Sequence, residues 1–129
     1  MSQSTEVRTG GCLCGQIRYE ARGEPLNQGH CYREDCRKSS GSGFIPFMGY
    51  AASAVTFSGE TRRHACKAAN GNDAVRNFCP ACGGLVFGGI VGVHEQDTIY
   101  AGSLDDPSTF QPAMAIFTRC APAWAAIPP

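Results

Sequence analysis

Two short cysteine pairs are the residues with the clearest chemistry in this chain. Cys12 and Cys14 lie in the segment GCLCG, and Cys79 and Cys82 lie in the segment FCPACGG. Sulfurs spaced this closely can bind one ion together, and two such pairs supply the tetrahedral four-sulfur set that zinc prefers in structural sites. Glycines flank both pairs, as is typical of tight turns that need a positive φ. The spacing therefore predicts a structural zinc site at Cys12, Cys14, Cys79 and Cys82.

The chain has eight cysteines, which metal binding or thiol chemistry explains better than a disulfide framework. Residues 1–8 show no basic start followed by an apolar run, so we expect no secretion signal and no membrane anchor. We therefore expect a cytoplasmic location, where disulfides are rare. Cys66 and Cys120 stand alone in the sequence and are expected to be small buried hydrophobic residues.

Length and charge limit the class of protein. The 129 residues favour a single domain over 1–129, with a core over about residues 10–124 and short tails. Eleven basic and eleven acidic side chains cancel, so no strong field would attract nucleic acid or an anionic membrane. Small or neutral partners are favoured.

The elements that must position these thiols have the patterns of short strands and turns. Strand patterns occur at residues 16–21, 26–31, 43–50, 54–57, 61–66, 74–78, 85–87, 97–102 and 114–118. The segment NGND at 70–73 predicts a tight turn, and Pro46 indicates an edge strand or a bulge. We predict an all-β domain of small curled antiparallel sheets with one short helical turn, held by the four-cysteine zinc site. Loss of the ion should unfold more than one loop, because it would tie the opening hairpin to the middle one.

Four ordered segments together resemble the glutathione-dependent formaldehyde-activating enzyme (GFA) family. They are GCLCG with the following IRY, CRKSSG at 36–41, FCPACG at 78–83 and GSLDDP at 102–107. The resemblance covers about residues 10–124. It implies a single GFA-type domain with a β-tent-like fold, a structural zinc on the four cysteines, and an activity that forms or cleaves the carbon–sulfur bond between glutathione and formaldehyde.

The resemblance also implies a second, catalytic zinc, held by a C-x-C-x-x-C segment that maps onto residues 31–36. Cys31 and Cys36 match the outer ligands, but Arg33 stands at the middle one, and a permanent cation cannot bind a metal. A catalytic zinc keeps about three protein ligands and an open position. Ala115 is another departure, since family members often carry histidine before the Ile-Phe pair of the final strand. The family's active site is therefore altered here or absent.

Three interpretations of this second cysteine pair remain open. In the first, zinc binds Cys31 and Cys36 and takes its missing ligand from His30, Cys66 or Cys120. The ion would then polarise an aldehyde or lower the pKa of a bound thiol.

In the second interpretation no metal binds, and Cys31 or Cys36 acts as a catalytic, reactive thiol. Arg33, Arg37 and Lys38 would favour the thiolate, and the same cations could hold an acidic ligand such as a glutathione carboxylate. In the third, the two thiols are vestigial or oxidised to each other.

We predict a carbon–sulfur lyase acting on a glutathione or other thiol adduct of formaldehyde or another small aldehyde. The alternative is a non-catalytic, zinc-stabilised β module that binds a small molecule or a protein.

The remaining chemistry-bearing residues are weaker candidates. His30, His64 and His94 could each serve as a general base, but a lone histidine is more often a surface or hydrogen-bonded residue. Asp105 and Asp106 precede a proline, where carboxylates commonly cap a turn, and we prefer that role to catalysis. The segment FIPF at 44–47 follows Cys36 closely and could line a pocket.

Overall fold

The structure is a computed structural model that describes residues 6–67 and 73–125. Its strands are β1 (Val7–Gly11), β2 (Arg18–Arg22), β3 (Asn27–Cys31), β4 (Ile45–Ala51), β5 (Val55–Ser58), β6 (Arg62–Lys67), β7 (Asp73–Phe78), β8 (Leu85–Gly88), β9 (Gln96–Tyr100) and β10 (Met114–Ile116). One α-helix, α1 (Glu34–Ser40), and short 3-10 helices at Ala52–Ala54, Ala101–Ser103, Pro107–Thr109 and Thr118–Cys120 complete the described part. Residues 70–72 of the predicted turn lie outside it.

The strands form two sheets, which confirms the predicted all-β class. The small sheet has the order β1-β2-β5, and the large sheet has the order β10-β3-β4-β9-β8-β7-β6. Neighbouring strands are antiparallel except at one edge, where β10 runs parallel to β3 with Met114 opposite Gly29. A parallel pair cannot be joined by a tight hairpin, and β10 is reached through the long connection over residues 101–113. No helix in the described ranges is long and apolar enough to cross a bilayer.

Pro46 differs from its sequence-based expectation, because β4 lies inside the large sheet and not at an edge. Pro46 is opposite His30 of β3, whereas the pairing of β4 with β9 begins only at Phe47. The proline therefore lies beyond the end of the β4–β9 ladder. A missing backbone N–H is tolerated there without disrupting the interior of the sheet.

The main core lies between the two sheets. Tyr19 of β2 and Met48 of β4 are almost fully buried in it, and the rings of Phe57 and Phe87 stack across it with centroids 3.9 Å apart. Successive residues of a strand point to opposite faces, so Ile45 of β4 belongs to a second cluster on the other side of the large sheet, together with two cysteines. That second face carries the helix α1 and the cleft described below.

Candidate functional site

The four predicted metal ligands lie in two tight turns, one after β1 and one between β7 and β8. In the first turn the amide of Cys12 donates to the carbonyl of Ile17 at 3.1 Å, and Gly15 has φ +84°. In the second the amide of Cys79 donates to the carbonyl of Gly84 at 3.0 Å. Gly83 there has φ +76°. The positive φ expected beside the cysteine pairs is confirmed at Gly15 and Gly83, and it allows each turn to point both sulfurs inward.

The four sulfurs, which we call the four-cysteine cluster, converge across the interface of the two sheets. The Sγ atoms of Cys12, Cys14, Cys79 and Cys82 all lie within 4.8 Å of one another. Cys14 Sγ is 3.7 Å from the sulfurs of both Cys12 and Cys79. A zinc–sulfur bond of about 2.3 Å places the edges of a tetrahedron at about 3.8 Å, so the residues fit a tetrahedral metal ion.

Backbone amides surround the same sulfurs. Ile17 N donates to Cys12 Sγ at 3.2 Å, and Ala81 N donates to Cys79 Sγ at 3.3 Å. Hydrogen bonds from the backbone at Cys14 and Gly84 lower the pKa of Cys82 to about 6. Amide donors favour the thiolate, which is the form that binds a metal.

The second cysteine pair is also brought together. Cys31 ends β3, Cys36 lies in α1, and their sulfurs are 3.0 Å apart. The residues are 7% and 5% exposed, respectively. Both border a cavity of about 380 Å³ whose other walls include Ile45, Phe47 and Tyr100. We call this cavity the thiol cleft.

Arg76 of β7 is a candidate site residue that the sequence did not reveal. It is 6% exposed, and its Nη2 lies 3.1 Å from Asp35 Oδ2 and 3.6 Å from Cys36 Sγ. Its Nη1 donates to Cys66 Sγ at 3.5 Å. One guanidinium thus joins a carboxylate and two thiols. The local segment DAVRNF predicts a strand and carries no motif that would identify this arginine.

The two thiols of the cleft have opposite pKa shifts. A hydrogen bond with Cys31 and the guanidinium of Arg76 lower the pKa of Cys36 to about 6. The hydrogen bond with Cys36, together with burial, raises the pKa of Cys31 far above its ordinary range. These opposite directions favour the state in which the pair keeps one proton, on Cys31, and carries one negative charge, on Cys36.

The basic trio proposed from the sequence does not converge on these sulfurs. Arg33 borders the thiol cleft but pairs with Asp35, and its Cζ lies 5.2 Å from the ring centroid of Phe117. Lys38 is exposed and pairs with Glu34 at 3.1 Å. Arg37 is half-buried on α1 and is not among the residues that border the cleft.

A larger cavity of about 720 Å³, which we call the outer cleft, lies on the other side of Arg76. Arg33 and Arg76 border both clefts. Lys38, His64, Cys66 and Lys67 also line the outer cleft. Its walls therefore carry an excess of cationic side chains next to the thiol cleft.

The predicted alternatives for a third ligand do not form a compact group with Cys31 and Cys36 among the described residues. His30 alternates with Cys31 on β3, so it points to the opposite face, and its ring stacks on Phe44 at 4.1 Å. Cys66 lies 3.7 Å from Asp35 Oδ2, and Cys120 lies in a 3-10 helix after β10.

The donor set at the second cysteine pair does not fit a catalytic metal. Across the described ranges, no third Cys, His, Asp or Glu ligand atom joins Cys31 and Cys36 in a compact group. Ala115, opposite His30 in the sheet, offers no ligand atom. The guanidinium of Arg76 instead balances the charge of the Cys36 thiolate. Two sulfurs beside a fixed cation are a poor match for a site that needs about three protein ligands.

The weaker candidates have ordinary structural contacts. His94 Nδ1 accepts from the amide of Ile90 at 3.3 Å. Asp106 caps the turn as expected and accepts from the amide of Ser108 at 3.1 Å. Asp105 does not cap that turn. It forms a bidentate ion pair with Arg18, which lowers its pKa to about 2.

Comparisons with known proteins agree with this architecture. A family model described as glutathione-dependent formaldehyde-activating enzyme matches residues 7–120. A crystal structure of a Rhodobacter sphaeroides protein, a structural genomics target, has a TM-score of 0.56 at 19% sequence identity. The alignment covers 78% of this chain and 93% of that one, and at this identity the likeness shows the fold alone. No curated protein sequence matches the chain.

Proposed function

The chain belongs to the glutathione-dependent formaldehyde-activating enzyme family, and from this premise we propose that it forms or cleaves a carbon–sulfur bond between a small thiol and a small aldehyde. The thiol is of the glutathione class, and the aldehyde is formaldehyde or a close relative. The observation that carries this proposal is the buried thiolate–thiol pair of Cys36 and Cys31 beside the Arg76 guanidinium. We place the reaction in the cytoplasm, where free thiols stay reduced.

We assign zinc to the four-cysteine cluster and give it a structural role. A closed four-sulfur tetrahedron leaves no open position for a substrate. Bound zinc would supply folding free energy at the point where the two sheets meet. The chemistry is therefore assigned to the thiol cleft.

Addition of a thiol to an aldehyde moves one proton from sulfur to oxygen. The Cys36 thiolate accepts the proton of the incoming thiol as its sulfur bonds to the carbonyl carbon, and the Cys31 thiol donates its proton to the carbonyl oxygen. Because the two sulfurs lie 3.0 Å apart, the proton gained by Cys36 can pass to Cys31 and restore the starting state. The reverse sequence cleaves the adduct.

The cations around the two clefts support an acidic thiol as the substrate. Arg76 keeps Cys36 in the thiolate form, and it lies between the two clefts with Arg33. Lys38 and Lys67 also line the outer cleft, where each forms an exposed ion pair, with Glu34 and Asp73 respectively, that a substrate carboxylate can replace. Carboxylates of a glutathione-class thiol suit these side chains, while the thiol cleft is large enough for a small aldehyde.

A second candidate is a non-catalytic, zinc-stabilised β module that binds a small molecule or a protein. The observation that favours it is the loss of the middle ligand at Arg33, which leaves a donor set unsuited to a catalytic metal.

Condensation of glutathione with formaldehyde, followed by exchange NMR, separates the two candidates. We expect wild-type protein to accelerate the exchange and Cys36→Ala to return it to the uncatalysed rate, since general acid–base catalysis contributes about 10²–10⁴-fold. Cys120→Ser is the matched control, because Cys120 is not among the residues bordering either cleft. Wild-type exchange at the uncatalysed rate would reject the enzyme for this substrate and favour the binding module.

A further inference from the structure

The thiol cleft also has the geometry for a reaction that carbon–sulfur chemistry does not use. The sulfurs of Cys31 and Cys36 are 3.0 Å apart, and a disulfide bond holds its sulfurs at about 2.05 Å. An approach of about 1 Å would therefore close the bond. The two residues are separated by a short segment between β3 and α1, so this approach does not require the sheets to move.

We propose that Cys31 and Cys36 form a peroxide-reactive dithiol, in which a small hydroperoxide oxidises Cys36 and Cys31 then closes an intramolecular disulfide. This inference does not rest on the proposed aldehyde reaction. It requires only the two sulfurs, the guanidinium beside them and access for a small oxidant.

Arg76 supplies the charge that the first step needs. Its Nη2 lies 3.6 Å from Cys36 Sγ and favours the thiolate, which is the nucleophilic form. A guanidinium this close to the attacking sulfur can also donate a hydrogen bond to the departing oxygen as negative charge develops on it. Asp35 stays 3.1 Å from that nitrogen, so the guanidinium keeps a partner after the thiolate charge is lost. Both redox states therefore leave Arg76 paired.

The surroundings of the pair select a small oxidant. Cys31 and Cys36 are only 7% and 5% exposed, and apolar Ile45 and Phe47 contribute to the wall of the cleft. Hydrogen peroxide is small enough to enter such a space. Cys66 touches the same guanidinium, but its thiol also donates to Asp35 Oδ2 at 3.7 Å and it is not among the residues that border the thiol cleft. Cys36 is thus the expected first site of oxidation.

The reaction balances with the hydroperoxide as the oxidant. The Cys36 thiolate attacks one peroxide oxygen, so a sulfur–oxygen bond forms and the oxygen–oxygen bond breaks. The departing alkoxide or hydroxide takes a proton from water and leaves as the alcohol or as water. The resulting sulfenic acid condenses with the neighbouring thiol. Cys31 attacks Cys36 sulfur, the sulfur–oxygen bond breaks, and the hydroxyl leaves as water with the Cys31 proton. In total the two cysteines lose two electrons, and the peroxide gains them.

The direct test uses wild-type, metal-loaded protein without added thiol or aldehyde. It is treated with one equivalent of hydrogen peroxide, its free thiols are blocked, and its peptides are analysed by mass spectrometry. We expect a peptide linked through Cys31 and Cys36, lost again on treatment with a thiol reductant, with no release of metal. Oxidation of Cys66 or of the four-cysteine cluster while Cys36 remains a thiol would overturn the proposal.

A variant tests the order of the two steps. Cys31→Ser should stop the reaction at the Cys36 sulfenic acid, which a dicarbonyl probe traps, whereas wild type and the matched control Cys120→Ser should show little trapping. Equal labelling of Cys36 in all three proteins would contradict the role of Cys31. The wild-type measurement needs no substitution. It therefore still tests the proposal if a variant fails to fold. Since no aldehyde is present, failure here is also distinct from failure of the carbon–sulfur assay.

Discussion

Cysteine side chains have different roles in the four-cysteine cluster and in the thiol cleft. In the cluster, sulfurs 3.7 Å apart lie among backbone amide donors and have the spacing of a metal tetrahedron. In the cleft, two sulfurs 3.0 Å apart share a proton beside a guanidinium. The group that balances the thiolate decides the role of the cysteine. A metal ion bound at the cluster would stabilise the fold, whereas an arginine leaves a thiolate free to react.

The largest expected effect is loss of the fold when the four-cysteine cluster is broken. Cys79 is fully buried and belongs to the main core. Structural zinc contributes about 10 kcal/mol or more in small domains, as much as the whole stability of most domains. Cys79→Ala should therefore lose its metal and become insoluble or unfolded, as measured by metal analysis and circular dichroism.

Cys120→Ser is the control for that experiment and should keep the metal and the fold. A soluble, folded Cys79→Ala protein with its zinc retained would show that the cluster does not hold the sheets together.

Metal analysis of wild type also tests the contrast between the two sites. We expect about one zinc per chain, and about two would show that Cys31 and Cys36 hold a metal after all.

A smaller effect is expected from Arg76→Gln, which should change reactivity and leave the fold intact. Without the guanidinium, the pKa of Cys36 should rise from about 6 toward the ordinary thiol value of 9.0. The rate of Cys36 alkylation by a small reagent, followed by peptide mass spectrometry from pH 5 to 9, reports this pKa. In wild type the rate should rise as pH passes about 6, and in Arg76→Gln it should rise at a higher pH.

Arg33→Gln is the matched control, because Arg33 also borders the cleft and pairs with Asp35, whereas the hydrogen bond to Cys36 comes from Arg76. Arg33→Gln should shift the pH midpoint of the Cys36 alkylation rate less than Arg76→Gln does. Equal midpoints for wild type and Arg76→Gln would mean that the hydrogen bond with Cys31 alone sets the pKa, and that the guanidinium has no part in the contrast between the two sites.

The same contrast explains what the sequence could predict. The ligands Cys12 and Cys14 are neighbours in the chain, and so are Cys79 and Cys82, so local spacing was enough to identify the cluster. Arg76 meets Cys36 across 40 positions of sequence. That contact depends on how β7 and α1 pack, which no local pattern encodes. The trio of Arg33, Arg37 and Lys38 is close in sequence, but Arg33 precedes α1 and pairs with Asp35, whereas Arg37 and Lys38 lie on α1 and Lys38 pairs with Glu34.

The sequence did not predict which strands lie at the edges of the large sheet, for a similar reason. The pattern of β10 predicts a strand, but its parallel pairing with β3 depends on the path of residues 101–113. Pro46 suggested an edge because it lacks an N–H, and the structure tolerates it where only β3 pairs. Local rules identify a strand, whereas its neighbours are set by burial of both faces.

The smallest expected effect comes from the ion pair between Arg18 and Asp105, which lies near the four-cysteine cluster on the small sheet. Asp105 also accepts from Thr9 Oγ1 at 2.7 Å, and its pKa is lowered to about 2 from the ordinary 3.8. A lowered carboxyl pKa stabilises the fold above pH 4, and this contribution is lost as pH falls from about 4 to 2. Since both side chains are nearly half exposed, Asp105→Asn should lower Tm at pH 7 by no more than about 3 °C. The difference from wild type should shrink in calorimetry at pH 3. An Asp105→Asn protein that is unfolded at pH 7 would mean that this surface ion pair, as well as the metal cluster, is needed to hold the small sheet to the large one.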